Sequence, residues 1–233
     1  MYGFMSWLKQ LRIDNLFSTA LVVAASLLCI VVHETCHGLV AWRLGDDTAK
    51  NAGRLTLNPL RHIDLVGLVM MAVLKFGWAK PVPIDMRKFK NPRAGMALTA
   101  AAGPVSNILL AMAALLFRSA SMGFYLEKSS GITGWLVFNE FLEYVIVISA
   151  GLAVFNLIPI SPLDGSKILF AFLPQDAYYR LMRYERYGML VLIAAMFFGW
   201  LDRPLYFLRG GLLAGLQAVT MWPFDLVVRF RFA

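Results

Sequence analysis

A long apolar run, Leu16 to Trp42, is interrupted by two histidines and a glutamate, and that interruption limits what the chain can become. About 20 apolar residues are enough to cross a bilayer as a helix, so the run reads as a membrane span of about 16–43. Inside it stands Val32-His33-Glu34-Thr35-Cys36-His37-Gly38, a His-Glu-x-x-His pattern. On a helix, positions 33 and 37 lie one turn apart on one face. Two imidazoles so placed can grip one Zn2+ from two corners of a tetrahedron. Glu34 points to the side of that pair, where it can serve as general base towards water activated by the ion. The plainer alternative is a pair of buried histidines satisfied by neighbours. It leaves unexplained a charged glutamate in an apolar span, which is costly and marks a functional position by default. A zinc site of this type needs a third protein ligand and one open position. His62 is the only other histidine, and the remaining candidates are carboxylates.

Composition supports a membrane protein. Of 233 residues, 59% are hydrophobic and 15% charged, against ~25% charged in soluble domains. The net charge of +8 reads as Lys and Arg held on the cytoplasmic side of a membrane rather than as a nucleic-acid surface. The first residues, with Lys9 and Arg12 ahead of the apolar run, resemble a signal peptide, but no A-x-A site follows and Cys29 lacks a lipoprotein context. The first run is therefore expected to be retained. Cys29 and Cys36, both on it, are about 10 Å apart along a helix, too far for a disulfide, and read as small core residues.

Further along, residues 44–61 are polar. Gly53-Arg54-Leu55-Thr56-Leu57-Asn58-Pro59 alternates with period two, which predicts a short strand closed by Pro59. Residues 62–76 are apolar but short, suggesting a re-entrant segment. Lys80 to Asp85 should be extended, because Pro81 and Pro83 bar a helix. Full spans are expected at about 94–117 and 137–158, and further helices at about 187–202 and 205–224. In the second span Gly95, Thr99, Gly103 and Asn107 recur every four residues, giving a small face that lets helices approach. The fold class is thus an all-α polytopic membrane protein of about five to six transmembrane helices, with a short membrane-associated strand or re-entrant segment near the site. One integral domain is expected over 1–233, with its core at about 16–190 and extra C-terminal helices at about 187–224. Placing 43–93, 159–187 and 223–233 inside puts 16 of the 22 Lys and Arg residues in the cytoplasm, and the His-Glu-x-x-His end of the first span with them.

After the third span the chain reads Asn156-Leu157-Ile158-Pro159-Ile160-Ser161-Pro162-Leu163-Asp164-Gly165. Asp164 suits either an N-cap on a following helix or an oxygen ligand placed by a broken helix that lines a cavity. The two motifs together, His-Glu-x-x-His on an apolar helix and Asn-x-x-Pro-x-x-x-Leu-Asp-Gly, resemble the site-2 protease family of intramembrane zinc metalloproteases. Gly45 to Lys50, Gly53 to Pro59, Gly77 to Pro83 and Ala102 to Asn107 are similar to its compact bacterial branch, which lacks PDZ and CBS domains. Leu65 stands where that branch has a proline.

The resemblance implies His33, His37 and Asp164 as ligands of one Zn2+ per chain and Glu34 as the general base. It implies that Asn156 holds the substrate backbone, with Asn107 a second candidate for that work or for packing between helices. The implied activity is endopeptidase cleavage in or near transmembrane segments, with a transmembrane protein or peptide as substrate and the lipid bilayer as surroundings. The implied location is the bacterial inner membrane, with the site towards the cytoplasm. An unwound substrate could pair with the edge of 53–58 or 80–85. His62 reads as a structural hydrogen-bonding residue or as part of the site lining. Two rival readings are a ZIP-like metal transporter, disfavoured by so few histidines, and a non-catalytic scaffold, disfavoured by an intact set of site residues.

Overall fold

In a computed structural model, which describes residues 16–64, 80–125 and 132–226, the chain is mostly helical. Helix α1 runs Leu16–Arg43 and carries no proline. It stops in a Schellman motif around Gly45, whose φ of 108° suits only glycine well. Gly45 N donates to the Trp42 carbonyl and Asp46 N to the Ala41 carbonyl at 2.9 Å, capping two final carbonyls. The chain then makes a single turn, α2 (Thr48–Asn51), and two 3-10 turns, Pro59–Arg61 and Met86–Lys88. Helix α3, Pro92–Tyr125, begins with Pro at its first position and the Asn91 side chain accepting from Ala94 N. Helix α4 is Ile132–Asn156, α5 is Asp164–Ala171, α6 is Gln175–Phe197 and α7 is Asp202–Thr220.

Three helices are long and apolar enough to cross a membrane, matching the expected spans near 16–43, 94–117 and 137–158. The expectation of five to six is not met among the described residues. Tyr187–Phe197 and Asp202–Leu226 qualify only together, as a pair bent by 87°, for a total of up to four. Neither qualifies alone. The break between them is a second Schellman motif, with Gly199 at φ 70° and Trp200 N on the Ala195 carbonyl. The predicted strand at 53–58 is also absent, and no strand occurs among the described residues. Gly53, at φ 64°, turns the chain, and residues 54–58 follow an irregular path. Polar side chains, not a ladder, satisfy the backbone there. Thr35 Oγ1 and His62 Nε2 both donate to the Thr56 carbonyl, at 3.0 and 2.9 Å. The re-entrant segment expected over 62–76, and the Leu65 turn, lie largely outside the described residues. Residues 80–85 are extended, as the prolines require.

The chain packs as two units. One comprises residues 1–29, 107–154 and 195–233. Its core joins Ala25 and Cys29 to Ala114, Leu142, Val145 and Ile148. Buried polar groups there are paired: Ser149 Oγ donates to Cys29 Sγ, and Ser18 and Tyr144 both donate to Glu140 Oε1. Asn107 is fully buried in this unit.

The second unit, residues 30–106 and 155–194, holds both sequence motifs. Glycines set its close approaches. A Cβ on Gly165 would collide with the Leu157 carbonyl, and one on Gly188 would collide with the Ser161 carbonyl and side chain. Outward from both units, the spans present large apolar side chains such as Phe17, Val23, Leu98, Val105, Leu109 and Phe117. Apolar exposure on that scale along helices suits lipid rather than water.

Gly188 sits inside a helix, where Gly→Ala ordinarily gains about 0.5–1 kcal/mol. Overpacking against Ser161 should reverse the sign. Gly188→Ala is expected to lower stability by about 1–3 kcal/mol, read as a fall in the melting temperature of the detergent-solubilised protein. A rise would contradict the close packing of α6 on the 159–163 turn.

Candidate metal centre

The site is built from three pieces of the second unit. Helix α1 supplies His33 and His37 from adjacent turns. Helix α3 runs close beside them because Gly103 has no side chain: a Cβ there would overlap both imidazole rings. In the same stretch Pro104 offers no N–H to the Ala100 carbonyl, and the Thr99 carbonyl accepts from His37 Nδ1 at 2.7 Å. The third piece is the turn after α4. Pro159 and Pro162 keep residues 157–163 out of a helix, and α5 begins at Asp164. Its N-cap position is Leu163, with no side-chain cap bond. The Asp164 carboxylate is therefore not spent on capping.

It faces the histidines instead. Asp164 Oδ2 lies 3.2 Å from both His33 Nε2 and His37 Nε2, and the two nitrogens are 3.0 Å apart. All three residues are buried. Their ligand atoms form the one metal-binding group of His, Cys, Asp and Glu found among the described residues.

These donors suit a cation. A carbonyl only accepts, so His37 Nδ1 carries the hydrogen towards Thr99, and Nε2 of the neutral ring presents a lone pair. That lone pair then points at the lone pairs of Asp164 Oδ2 and, across 3.0 Å, at His33 Nε2. A cation between the three atoms would satisfy that lone pair and the carboxylate oxygen together. A hydrogen-bonded second nitrogen is also the usual way a ligating imidazole is oriented. Ligand bonds of about 2.0–2.1 Å in a tetrahedron would set donors roughly 3.3 Å apart, close to the observed spacing. Two nitrogens and one oxygen are a normal donor set for zinc.

The group opens on a cavity of about 130 Å3 whose polar lining also includes Glu34 and Lys167. Glu34 Oε2 accepts from Val82 N at 3.0 Å. The apolar part of the lining comes from residues that include Val82, Ile84, Met96 and Ala100. Cys36 is not part of the metal-binding group or the lining. His62 is buried but hydrogen-bonded to Thr56, away from the lining, which fits the structural reading. Neither Asn156, at the end of α4, nor Asn107 lines the cavity. Sequence reasoning passed over Gly103 as a packing residue of the rings, Thr99 as the carbonyl that orients His37, and Val82 as a donor to Glu34. The four-residue recurrence of small residues did signal the first two.

Comparison with known proteins agrees with this geometry. Residues 21–199 match peptidase family M50. YwhC of Bacillus subtilis, named as a zinc metalloprotease, is 36% identical over 172 residues, 74% of this chain and 78% of its own. Rip2 of Mycobacterium tuberculosis, also named as a zinc metalloprotease, is 26% identical over 231 residues, 96% of this chain and 82% of its own. Rip2 of Mycolicibacterium smegmatis is 26% identical over 187 residues, covering 78% and 69%. No solved structure matches significantly. With both motifs inside the matched residues and the ligand atoms gathered at one point, the chain belongs to peptidase family M50, the site-2 proteases, and is a zinc-dependent peptidase of the membrane.

Proposed function

We propose that His33, His37 and Asp164 hold one zinc ion and that Glu34 is the general base in hydrolysis of peptide bonds in or near transmembrane segments. The observation that carries this reading is the convergence of three buried donors at 3.0–3.2 Å on a cavity that Glu34 shares. Zinc held there supplies a Lewis acid for the scissile carbonyl and lowers the pKa of water towards ~7. The remaining chemistry belongs to the chain. Glu34 accepts the proton of the attacking water as its oxygen bonds to the carbonyl carbon. It returns that proton to the amine as the C–N bond breaks. Thr99 holds the His37 ring in one tautomer throughout. The apolar side of the cavity limits bulk water and strengthens the electrostatics inside.

A transmembrane helix hides its amides in its own hydrogen bonds, so the substrate must unwind before its carbonyl reaches the donors. Asn156, eight residues before Asp164, is proposed to meet the unwound backbone once a substrate is seated. Full burial of Asn107 favours packing between helices over a substrate contact. The Lys and Arg distribution supports a cytoplasm-facing site, and bacterial relatives support the inner membrane. The whole chain acts as one integral domain.

Two measurements bear on these roles. Purified wild type should carry one zinc per chain, and Asp164→Ala should lose most of it. Full zinc in the mutant would place the third ligand elsewhere. Glu34→Gln should keep its zinc and lose about 10²- to 10⁴-fold in hydrolysis, assayed on fluorescein-labelled casein in detergent. Cleavage at the wild-type rate would remove Glu34 from the mechanism.

A further inference from the structure

Lys80 to Asp85 is an irregular stretch of the site's unit tethered at several points. Pro81 and Pro83 have no N–H, which leaves four amides. Three are engaged. Lys80 N donates to the His62 carbonyl at 2.9 Å, Val82 N to Glu34 Oε2 at 3.0 Å and Asp85 N to Asp46 Oδ2 at 2.7 Å. The segment therefore has little edge left for pairing with a substrate strand. It reads instead as an internal strap along the cavity, which Pro81, Val82 and Ile84 line.

Both ends of the strap are held by buried charges. Arg54, 6% exposed, donates through Nη2 to the Lys80 carbonyl at 2.9 Å and the Pro81 carbonyl at 3.0 Å. No carboxylate pairs with it among the described residues. A buried guanidinium satisfied by carbonyls alone is costly, and here both contacts fall on the two residues before Val82. At the other end Asp46, fully buried, accepts from Asp85 N with one oxygen and from Thr48 N at 3.0 Å and Thr48 Oγ1 with the other. The Schellman turn of α1 fixes Asp46 itself. In between, the Val82 side chain packs on the bare Cα of Gly38, one helical turn beyond Glu34.

We infer that Arg54 is a positioning residue for hydrolysis: it sets the depth of the strap so that Val82 N–H fixes the Glu34 carboxylate. The inference rests on Glu34 as the general base. The last torsion of a glutamate is broad and roughly two-fold, so an unheld carboxylate rotates. With Oε2 held by an N–H, Oε1 is the oxygen left to take a proton. Asp46 anchors the far end and keeps the strap taut.

The test uses full-length enzyme in detergent, with fluorescein-labelled casein as probe and zinc per chain measured for every variant. Arg54→Gln should lower kcat by about 10- to 100-fold with KM within about threefold and zinc retained. Arg54→Lys should recover part of the loss. Val82→Ala keeps the N–H and sets the cost of packing alone, whereas Val82→Pro removes the N–H from an already extended segment and should lose at least tenfold more. In a Glu34→Gln background, Arg54→Gln should cost nothing further, since both act through one group. Equal losses in Val82→Ala and Val82→Pro would overturn the inference. So would additive losses in the double variant, or an Arg54→Gln defect explained by lost zinc. Should wild type and Glu34→Gln cleave alike, the proposed function fails on its own account. Amide exchange of peptide 80–86 then decides the strap: faster exchange in Arg54→Gln supports it, and unchanged exchange overturns it.

Discussion

Two imidazole nitrogens and a carboxylate oxygen are held 3.0–3.2 Å apart, away from water, in an arrangement that a cation at its centre would satisfy at one stroke. Much of the second unit can be read as a means of holding that arrangement. The helix period stacks the two histidines. Gly103 lets a neighbouring helix come within contact of both rings, and the Thr99 carbonyl fixes which nitrogen of His37 faces inward. Two prolines break the chain after α4 so that a carboxylate is delivered at a helix start without serving as its cap. In an apolar interior each of these polar groups is costly alone, and together they make a donor set suited to an ion.

The same economy governs the irregular backbone near the site. Non-helical chain in such a protein is tolerated where its polar groups are satisfied internally. Arg54, Asp46, His62 and Thr35 do this for 54–64 and 80–85 with side chains rather than with a sheet. The result is a tethered backbone, one of whose amides lands on Glu34.

Local chemistry was the legible part of the sequence. The His-Glu-x-x-His spacing and the Pro-x-x-x-Leu-Asp-Gly segment named the residues that the structure gathers, and hydropathy located the first three long helices. What misled was pattern without partners. The alternation at 53–58 has the period of a strand, but Gly53 turns the chain and side chains of Thr35 and His62 take the Thr56 carbonyl. Two apolar stretches near the C-terminus read as separate spans, yet Gly199 bends them into a pair that qualifies only jointly. The tethering of 80–85 leaves no trace in composition or period, because it depends on hydrogen bonds between residues tens of positions apart.

The most direct measurement of the metal site is zinc K-edge X-ray absorption on the purified wild-type protein. The expected spectrum has only nitrogen and oxygen in the first shell at about 2.0–2.1 Å, with outer-shell scattering from two imidazoles and room for one non-protein ligand. A sulfur shell at about 2.3 Å, which would bring Cys36 into the coordination, or scattering from a single imidazole would contradict the assignment of His33, His37 and Asp164.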